Sequence, residues 1–234
     1  MDRIFAYVDP SDIKQNRFTC NPSESHHLHR VLRCQIGDEL HILDGQGIMY
    51  RGQITELSPL VAGEIREILP EYGENSRPVH LVLAVLKRSA LESAIERATE
   101  LGTRSVTLII TERVIKKDVN ISRLQKIILA TAKQCGRSRF LKIRGPVQFD
   151  SWIKTLQPDG AFVCHWHGEE KISQQVAKNR NAEVTCIIGP EGDFSPNEML
   201  AIMSKGVSVV SLGNRRLRAE TAVGAALAVI NENL

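Results

Sequence analysis

Short apolar runs alternate with segments of helical periodicity from Val79 to the end of this chain. The runs are VHLVLAVL, SVTLII, AFVCH, VTCII and VSVVSL, each short enough to form a buried strand. A helix is predicted after the first run, and Gly102 marks its end. Its apolar positions, three or four residues apart, are Leu91, Ala94, Ile95, Ala98 and Leu101. Strand and helix in such regular alternation predict a mostly parallel sheet covered by helices on both faces.

The segment before residue 69 has a different pattern. One helical patch, SESHHLHRVLR, interrupts four strand-like segments: RIFAYV, ELHILDG, GIMYRGQITEL and VAGEIREI. The tetrapeptide at Asp44–Gly47, DGQG, has the turn chemistry of a hairpin. We therefore expect a small β barrel or open β domain. Residues 69–78, LPEYGENSRP, predict a linker, which places an N-terminal β domain at 1–72 and an α/β domain at 73–234.

The cysteines and the N-terminal residues suggest a reducing compartment. Five cysteines are scattered singly, without a C-x-x-C pair, which argues against a disulfide framework. The start, MDRIFAYVDP, lacks the apolar region of a signal peptide. The longest apolar run, VHLVLAVL, is too short to span a bilayer. We expect a cytoplasmic protein without membrane contact, and the net charge of +3 permits an anionic partner without demonstrating one.

Polar or glycine-containing segments follow three late strands. They are HWHG at 165–168, which starts at the last residue of AFVCH, GPEG at 189–192 after VTCII, and GNRR at 213–216 after VSVVSL. The carboxyl ends of parallel strands meet at one edge of a sheet, where open α/β proteins bind ligands. The sequence therefore predicts a ligand pocket formed by these three loops.

The second of these loops disfavours a phosphate ligand. The chain has no G-x-x-x-x-G-K-[ST] motif, and no G-x-G-x-x-G follows the first strand of the α/β domain. Glu191 and Asp193 would repel a phosphate and would suit hydroxyls, an amine or a positive centre. Ser195, Pro196 and Glu198 have the pattern of a helix cap with a capping box, which explains them without a functional role.

The third loop carries a cluster of arginines. LGNRRLRAETA places Arg215, Arg216 and Arg218 within four residues, just before a helix of small residues, AVGAALAVI. Such a cluster beside a ligand pocket can clamp the backbone of RNA or DNA. A solvated run of surface charge fits the same pattern.

Two motifs together resemble a known family. IGPEGDFSPNEM and SLGNRRLRAETA are similar to the paired signature of the ribosomal RNA small subunit methyltransferase E family, in the SPOUT (trefoil-knot) superfamily. HHLHRVLR, DGQG, AIERATELG, TER and KQCGRSR extend the similarity over nearly the whole chain. The resemblance implies methylation of N3 of a uridine in 16S rRNA by S-adenosylmethionine.

The resemblance also implies a fold and an assembly. The N-terminal part would be a PUA-like β barrel that grips RNA, and the C-terminal part a mostly parallel α/β domain with a trefoil knot. The substrate would be 16S rRNA, free or in the small ribosomal subunit. A homodimer is implied, which would make the final Ala/Gly-rich helix a packing surface, although burial within one subunit explains that helix equally well.

The resemblance assigns the methyl donor to residues of the three loops. His165 and His167 alone are a weak metal pattern, and this methyl transfer needs no metal, so no metal is predicted. Two departures from the family pattern are Asp193, where a glycine is usual, and Ala219, where a threonine is usual. The expected cofactor contacts are His165, Gly189, Glu191, Gly192, Leu212, Gly213 and Leu217.

The N3–H group is only weakly acidic, so transfer to N3 requires a base or a positive group that helps it to lose its proton. Arg218 is the candidate to stabilise the uracil anion, and Glu220 is a candidate base or a partner that orients an arginine. A carboxylate favoured by the helix dipole explains Glu220 equally well. The predicted RNA contacts are Arg30, Arg33, Arg88, Arg113, Arg137, Arg215 and Arg216.

Two other functions are compatible with the same residues. A SPOUT enzyme can methylate a ribose 2′-hydroxyl of rRNA or tRNA, which calls for activation of a hydroxyl group. A non-catalytic RNA-binding factor can keep the fold without the reaction. Mass spectrometry of digested RNA distinguishes base methylation from ribose methylation. A protein that only binds RNA leaves no methylated nucleoside.

Overall fold

A computed structural model describes residues 3–114, 118–179 and 181–234. The chain divides into two compact units, one of Met1–Glu74 with Leu129–Phe140 and one of Asn75–Ile128 with Leu141–Leu234. Residues 129–140, which the predicted division leaves in the C-terminal domain, thus group with the first unit. None of the helices in the described ranges is both long and apolar enough to cross a bilayer.

The first unit is built on a six-stranded mixed sheet. A short α-helix runs from Pro22 to His26 (α1) and continues as a π-helical turn, His27–Val31. The strand order is β1-β4-β5-β6-β3-β2, and every neighbouring pair is antiparallel except β1 and β4. The strands are β1 (Phe5–Tyr7), β2 (Ile13–Lys14), β3 (Arg17–Thr19), β4 (Glu39–Leu43), β5 (Ile48–Glu56) and β6 (Ala62–Pro70).

Local chemistry explains the turn and the core of this sheet. Asp44 accepts the backbone N–H groups of Gln46, Gly47 and Ile48 on one carboxylate oxygen, at 2.7, 3.0 and 2.9 Å. That oxygen holds the chain in the turn between β4 and β5. A Cβ at Gly63 would overlap the Phe18 ring and a neighbouring carbonyl, so β6 requires glycine where the core is tightest.

A buried ion pair holds the segment predicted to be a linker. Arg137 Nε lies 3.1 Å from Glu74 Oε1, and its Nη2 lies 3.1 Å from Oε2. The side chains are only 2% and 3% exposed. Our prediction that Arg137 contacts RNA is therefore corrected by its burial: the guanidinium is enclosed in the first unit and satisfied by Glu74.

The second unit contains a seven-stranded sheet in which all neighbouring strands are parallel. The strand order is β11-β13-β10-β12-β7-β8-β9. The helix Ile121–Cys135 is divided between the units, because its residues 121–128 belong to the second unit and its residues 129–135 to the first. The strands are β7 (Val79–Ala84), β8 (Ser105–Ile110), β9 (Lys142–Gln148), β10 (Ala161–Cys164), β11 (Glu170–Lys171), β12 (Val184–Ile188) and β13 (Ser208–Ser211). The helices are α2 (Arg88–Glu100), α3 (Ile121–Cys135), α4 (Phe149–Trp152), α5 (Ile172–Lys178), α6 (Pro196–Ser204) and α7 (Ala219–Glu232).

The sequence did not predict β9, which contains Gly145 and Pro146. Proline has no N–H for a ladder and is depleted in central strands. β9 escapes this penalty because it lies at the edge of the sheet, beside β8 alone. Gly145 also has no room for a side chain, since a Cβ there would press against the carbonyl of Leu108.

Three neighbouring strands bring the predicted loops together. β10 lies between β12 and β13, with Cys164 opposite both Ile188 and Val210. The three strands therefore end at one level on one edge of the sheet. The predicted parallel sheet is confirmed, and the loops that follow β10, β12 and β13 are neighbours.

Candidate active site

A pocket of about 290 Å³ lies at the carboxyl ends of β10, β12 and β13. Residues 164–166, 188–191 and 193 form part of its wall. Residues 212–213 and 215–219 form the rest, with Ala222 of α7. All three predicted loops thus contribute to one cavity.

Six of the seven predicted cofactor contacts line this pocket, together with the predicted catalytic residue Arg218. Gly192 does not line it. Its carbonyl instead accepts a hydrogen bond from Arg113 Nη1 at 2.7 Å, which holds the loop from outside. The six that line the pocket are His165, Gly189, Glu191, Leu212, Gly213 and Leu217.

Asp193 adopts a left-handed backbone conformation, with φ at +66°. Its N–H donates to the Pro190 carbonyl at 2.9 Å, which closes a tight turn. Its Oδ1 accepts the N–H of Phe194 at 2.8 Å. Glycine adopts this conformation without steric cost, and aspartate is among the few other residues that tolerate it. The turn therefore explains both the glycine of the resembled family and the aspartate here.

His165 connects the first loop to the second. Its Nδ1 accepts the backbone N–H of His167 at 3.2 Å. Because Nδ1 is an acceptor, the ring proton lies on Nε2, which donates to Asp193 Oδ2 at 3.0 Å. The contact fixes the imidazole and leaves it in the pocket wall. The described residues contain no group of three histidines, cysteines or carboxylates that could hold a metal ion.

The wall of the pocket contains both acidic and basic side chains. Glu191 and Asp193 lie on the loop after β12, and Arg216 and Arg218 on the loop after β13. Arg216 Nη2 donates to the Glu191 carbonyl at 3.1 Å and joins the two loops. The exposed Arg218 side chain forms no ion pair with any residue in the described ranges, so its guanidinium is available to a bound group.

The start of α7 places the other predicted catalytic residue outside the pocket wall. Arg218 is the N-cap of the helix, with extended backbone, and Glu220 lies in its first turn. Glu220 is half-buried and does not line the pocket. Its role as a base stays a prediction. Ala219 is 6% exposed and forms part of the wall, where the threonine usual in the resembled family would add a hydroxyl.

The predicted RNA-contacting arginines are exposed, except for Arg137. Arg30 and Arg33 lie at and just after the π-helical turn of the first unit. Arg88 begins α2 and forms an ion pair with Glu92 at 3.0 Å. Because Arg88 is exposed, this pair contributes little to stability. Arg215 and Arg216 both line the pocket, where they can contact a bound ligand.

Asp193→Ala will destabilise the protein by about 1–2 kcal/mol more than Asp193→Gly does. Both variants lose the carboxylate contacts with His165 and Phe194, so only the Cβ in the left-handed conformation distinguishes them. Urea unfolding of the two variants measures this difference. Asp193→Asn, which keeps a hydrogen-bonding side chain there, serves as control. Equal stability of the alanine and glycine variants would contradict the left-handed turn.

The wall of the pocket fits S-adenosylmethionine. Ile188, Leu212 and Leu217 offer an apolar surface to a flat ring, and the loop backbones offer polar groups. Glu191 and Asp193 place negative charge where a cationic ligand would be favoured. The volume is at the lower end of that of ligand pockets, ~300 Å³ and above. No phosphate-binding glycine loop is needed for such a ligand.

Comparisons with known proteins point in one direction. Residues 73–231 match the model of an RNA methyltransferase domain, and residues 21–60 match that of an RNA methyltransferase PUA domain. A ribosomal RNA small subunit methyltransferase E from Synechocystis is 34% identical over 97% of this chain and 78% of its own length.

Two solved structures have the same fold over nearly their whole length. A protein from Legionella pneumophila, solved with bound S-adenosylmethionine, is 26% identical with a TM-score of 0.84, covering 99% of this chain and 98% of its own. A ribosomal RNA small subunit methyltransferase E from Neisseria gonorrhoeae, also bound to S-adenosylmethionine, is 20% identical with a TM-score of 0.88 and the same coverage. The second likeness concerns the fold alone.

Proposed function

This chain belongs to the ribosomal RNA small subunit methyltransferase E family, and we propose that it methylates N3 of a specific uridine in 16S rRNA, using S-adenosylmethionine. The observation that carries the proposal is the pocket at the ends of β10, β12 and β13, whose wall contains carboxylates together with Arg218, which forms no ion pair within the described part of the chain. The predicted fold class, a SPOUT α/β domain with a PUA-like β domain, is confirmed.

S-adenosylmethionine would be held by the loops after β10, β12 and β13. Its flat base fits the apolar wall of Ile188, Leu212 and Leu217. Glu191 and the His165–Asp193 pair favour its positive charge. When bound, it supplies the methyl group, which moves from sulfur to N3 as N3 loses its proton.

Arg218 would stabilise the uracil anion. N3 becomes a strong nucleophile only when it has lost its proton. The negative charge of the resulting anion is shared with the ring carbonyl oxygens. A guanidinium that forms no ion pair with the described residues can donate to those oxygens without first giving up a partner. Glu220, in the first turn of α7, is the proposed proton acceptor or a group that orients an arginine.

RNA would be gripped by both proposed domains, residues 1–72 and 73–234. Arg30 and Arg33 would contact the sugar-phosphate backbone from the first, and Arg88, Arg113, Arg215 and Arg216 from the second. Contacts of this kind position RNA without reading its sequence. The target uridine must be unpaired or extruded, because N3 takes part in base pairing. The partner is 16S rRNA, free or within the small ribosomal subunit.

A cytoplasmic homodimer is the proposed state of the protein. Leu200 and Met203, about one turn apart on α6, are 63% and 50% exposed, and neighbouring apolar side chains can form part of a protein–protein contact. Ala219 and Ala226 of α7 are buried within the unit, whereas the exposed Ala228 would permit close approach of another helix. Light scattering of the purified protein measures the mass directly. A monomer over the working concentration range would contradict the proposal.

Deletion of the gene will remove 3-methyluridine from 16S rRNA, and adding the purified protein with S-adenosylmethionine will restore it. Nucleoside analysis by mass spectrometry measures both changes. Appearance of a 2′-O-methylated nucleoside instead would favour ribose methylation. Isothermal titration with S-adenosylmethionine addresses the non-catalytic alternative, because a protein that binds RNA without any heat of cofactor binding would not be an enzyme of this kind.

A further inference from the structure

Trp166 is an exposed aromatic residue in the wall of the pocket. Its side chain is 55% exposed, whereas Trp152, the other tryptophan, is 6% exposed. Tryptophan is usually well buried, because an exposed indole leaves a large apolar surface in contact with water. No sequence motif identifies Trp166, which is a single tryptophan between two histidines. Its exposure in the wall of the pocket leaves the ring accessible to a bound ligand.

The turn that carries Trp166 is firmly held. The N–H of His165 donates to the Val210 carbonyl at 2.9 Å, and the N–H of Gly168 donates to the His165 carbonyl at 3.0 Å. A Cβ at Gly168 would overlap the backbone of Val210, so the turn packs directly on β13. The His167 ring lies against the indole. Trp166 is therefore presented from a fixed backbone, with its ring supported on one side.

We propose that Trp166 stacks on an unpaired base of the RNA substrate beside the site of methyl transfer. The inference rests on the proposed function. Arg215 and Arg216 line the same pocket and suit phosphate oxygens, so the wall offers a flat aromatic surface and cations, as a nucleotide requires. Stacking tolerates any base and holds one that has left its helix.

The adenine of S-adenosylmethionine is a less suitable occupant of this surface. Ile188 is 3% exposed and lies inside the pocket, where it gives an apolar surface away from water. Trp166, more than half exposed, is accessible to a large ligand from solvent. The indole thus serves the RNA, and the inner apolar residues serve the cofactor.

Acrylamide quenching of tryptophan fluorescence tests the inference in the intact protein. Acrylamide will quench Trp166 and leave the buried Trp152 largely unaffected, because quenching requires contact. Adding a short oligouridylate will protect Trp166 from acrylamide, and adding S-adenosylmethionine alone will not. Trp166→Phe, which keeps a ring, identifies the protected signal as that of Trp166. Protection by S-adenosylmethionine alone would overturn the inference.

Binding measurements with Trp166→Ala complete the test. The dissociation constant for 16S rRNA will rise about 5- to 150-fold, the range expected for losing one stacked base. Trp166→Phe will recover most of the affinity, and affinity for S-adenosylmethionine will stay the same in both variants. Unchanged RNA affinity in Trp166→Ala would overturn the stacking of Trp166 on RNA, but it would not contradict the proposed methylation. RNA binding through Trp166 without any methylated nucleoside would instead contradict the proposed function.

Discussion

Arg218→Ala will lower kcat for RNA methylation by about 10²–10³-fold, the loss typical of removing one group that stabilises developing charge. The affinity for S-adenosylmethionine will stay nearly unchanged, because the apolar wall and the acidic loop that would hold it remain in place. Steady-state methylation assays with 16S rRNA measure the first quantity, and isothermal titration measures the second. A variant that no longer binds S-adenosylmethionine would show that Arg218 serves the cofactor rather than the base.

Two further variants separate charge from geometry at this position. Arg218→Lys keeps a positive charge and loses the planar fork, so it will recover part of the lost kcat. Arg215→Ala removes a neighbouring arginine that also lines the pocket, and it will raise KM for RNA with little change in kcat. Equal losses of kcat in Arg215→Ala and Arg218→Ala would indicate that the loop acts only through its total charge.

The sequence predicts the sheet of the second unit well because its strands are buried and short. Continuous apolar runs between helices have few alternatives to a parallel sheet. β9 has no such apolar run, because about half of its residues are polar and Pro146 lacks an N–H donor. Its position at the edge of the sheet is known only once the whole sheet has formed. Residues 129–140 show a second limit, because the local pattern of α3 is continuous while its two parts belong to different units.

The site was predictable as far as strand ends determine it. The loops after β10, β12 and β13 meet because the strands are parallel neighbours, and the alternation of strand and helix predicts a parallel sheet whose loops share one edge. The contact of His165 with Asp193 was not predictable, since it depends on a left-handed residue 28 positions away in the chain. Glycine in the resembled family gave the only sign of that conformation. Side-chain pairing over long sequence separations is a property of packing, which periodicity does not contain.

Arg137→Ala will lower the free energy of unfolding of the first unit by about 3–5 kcal/mol, because it leaves Glu74 charged and buried without its partner. Replacing both residues, as in Glu74→Leu with Arg137→Met, will recover much of this loss, since no charge then remains buried. Arg17→Ala is the control: its pair with Glu56 is about half exposed and contributes ~0–1 kcal/mol. Urea unfolding measures all three. If Arg137→Ala were no less stable than Arg17→Ala, the buried pair would not be holding this segment, and an RNA contact by Arg137 would have to be reconsidered.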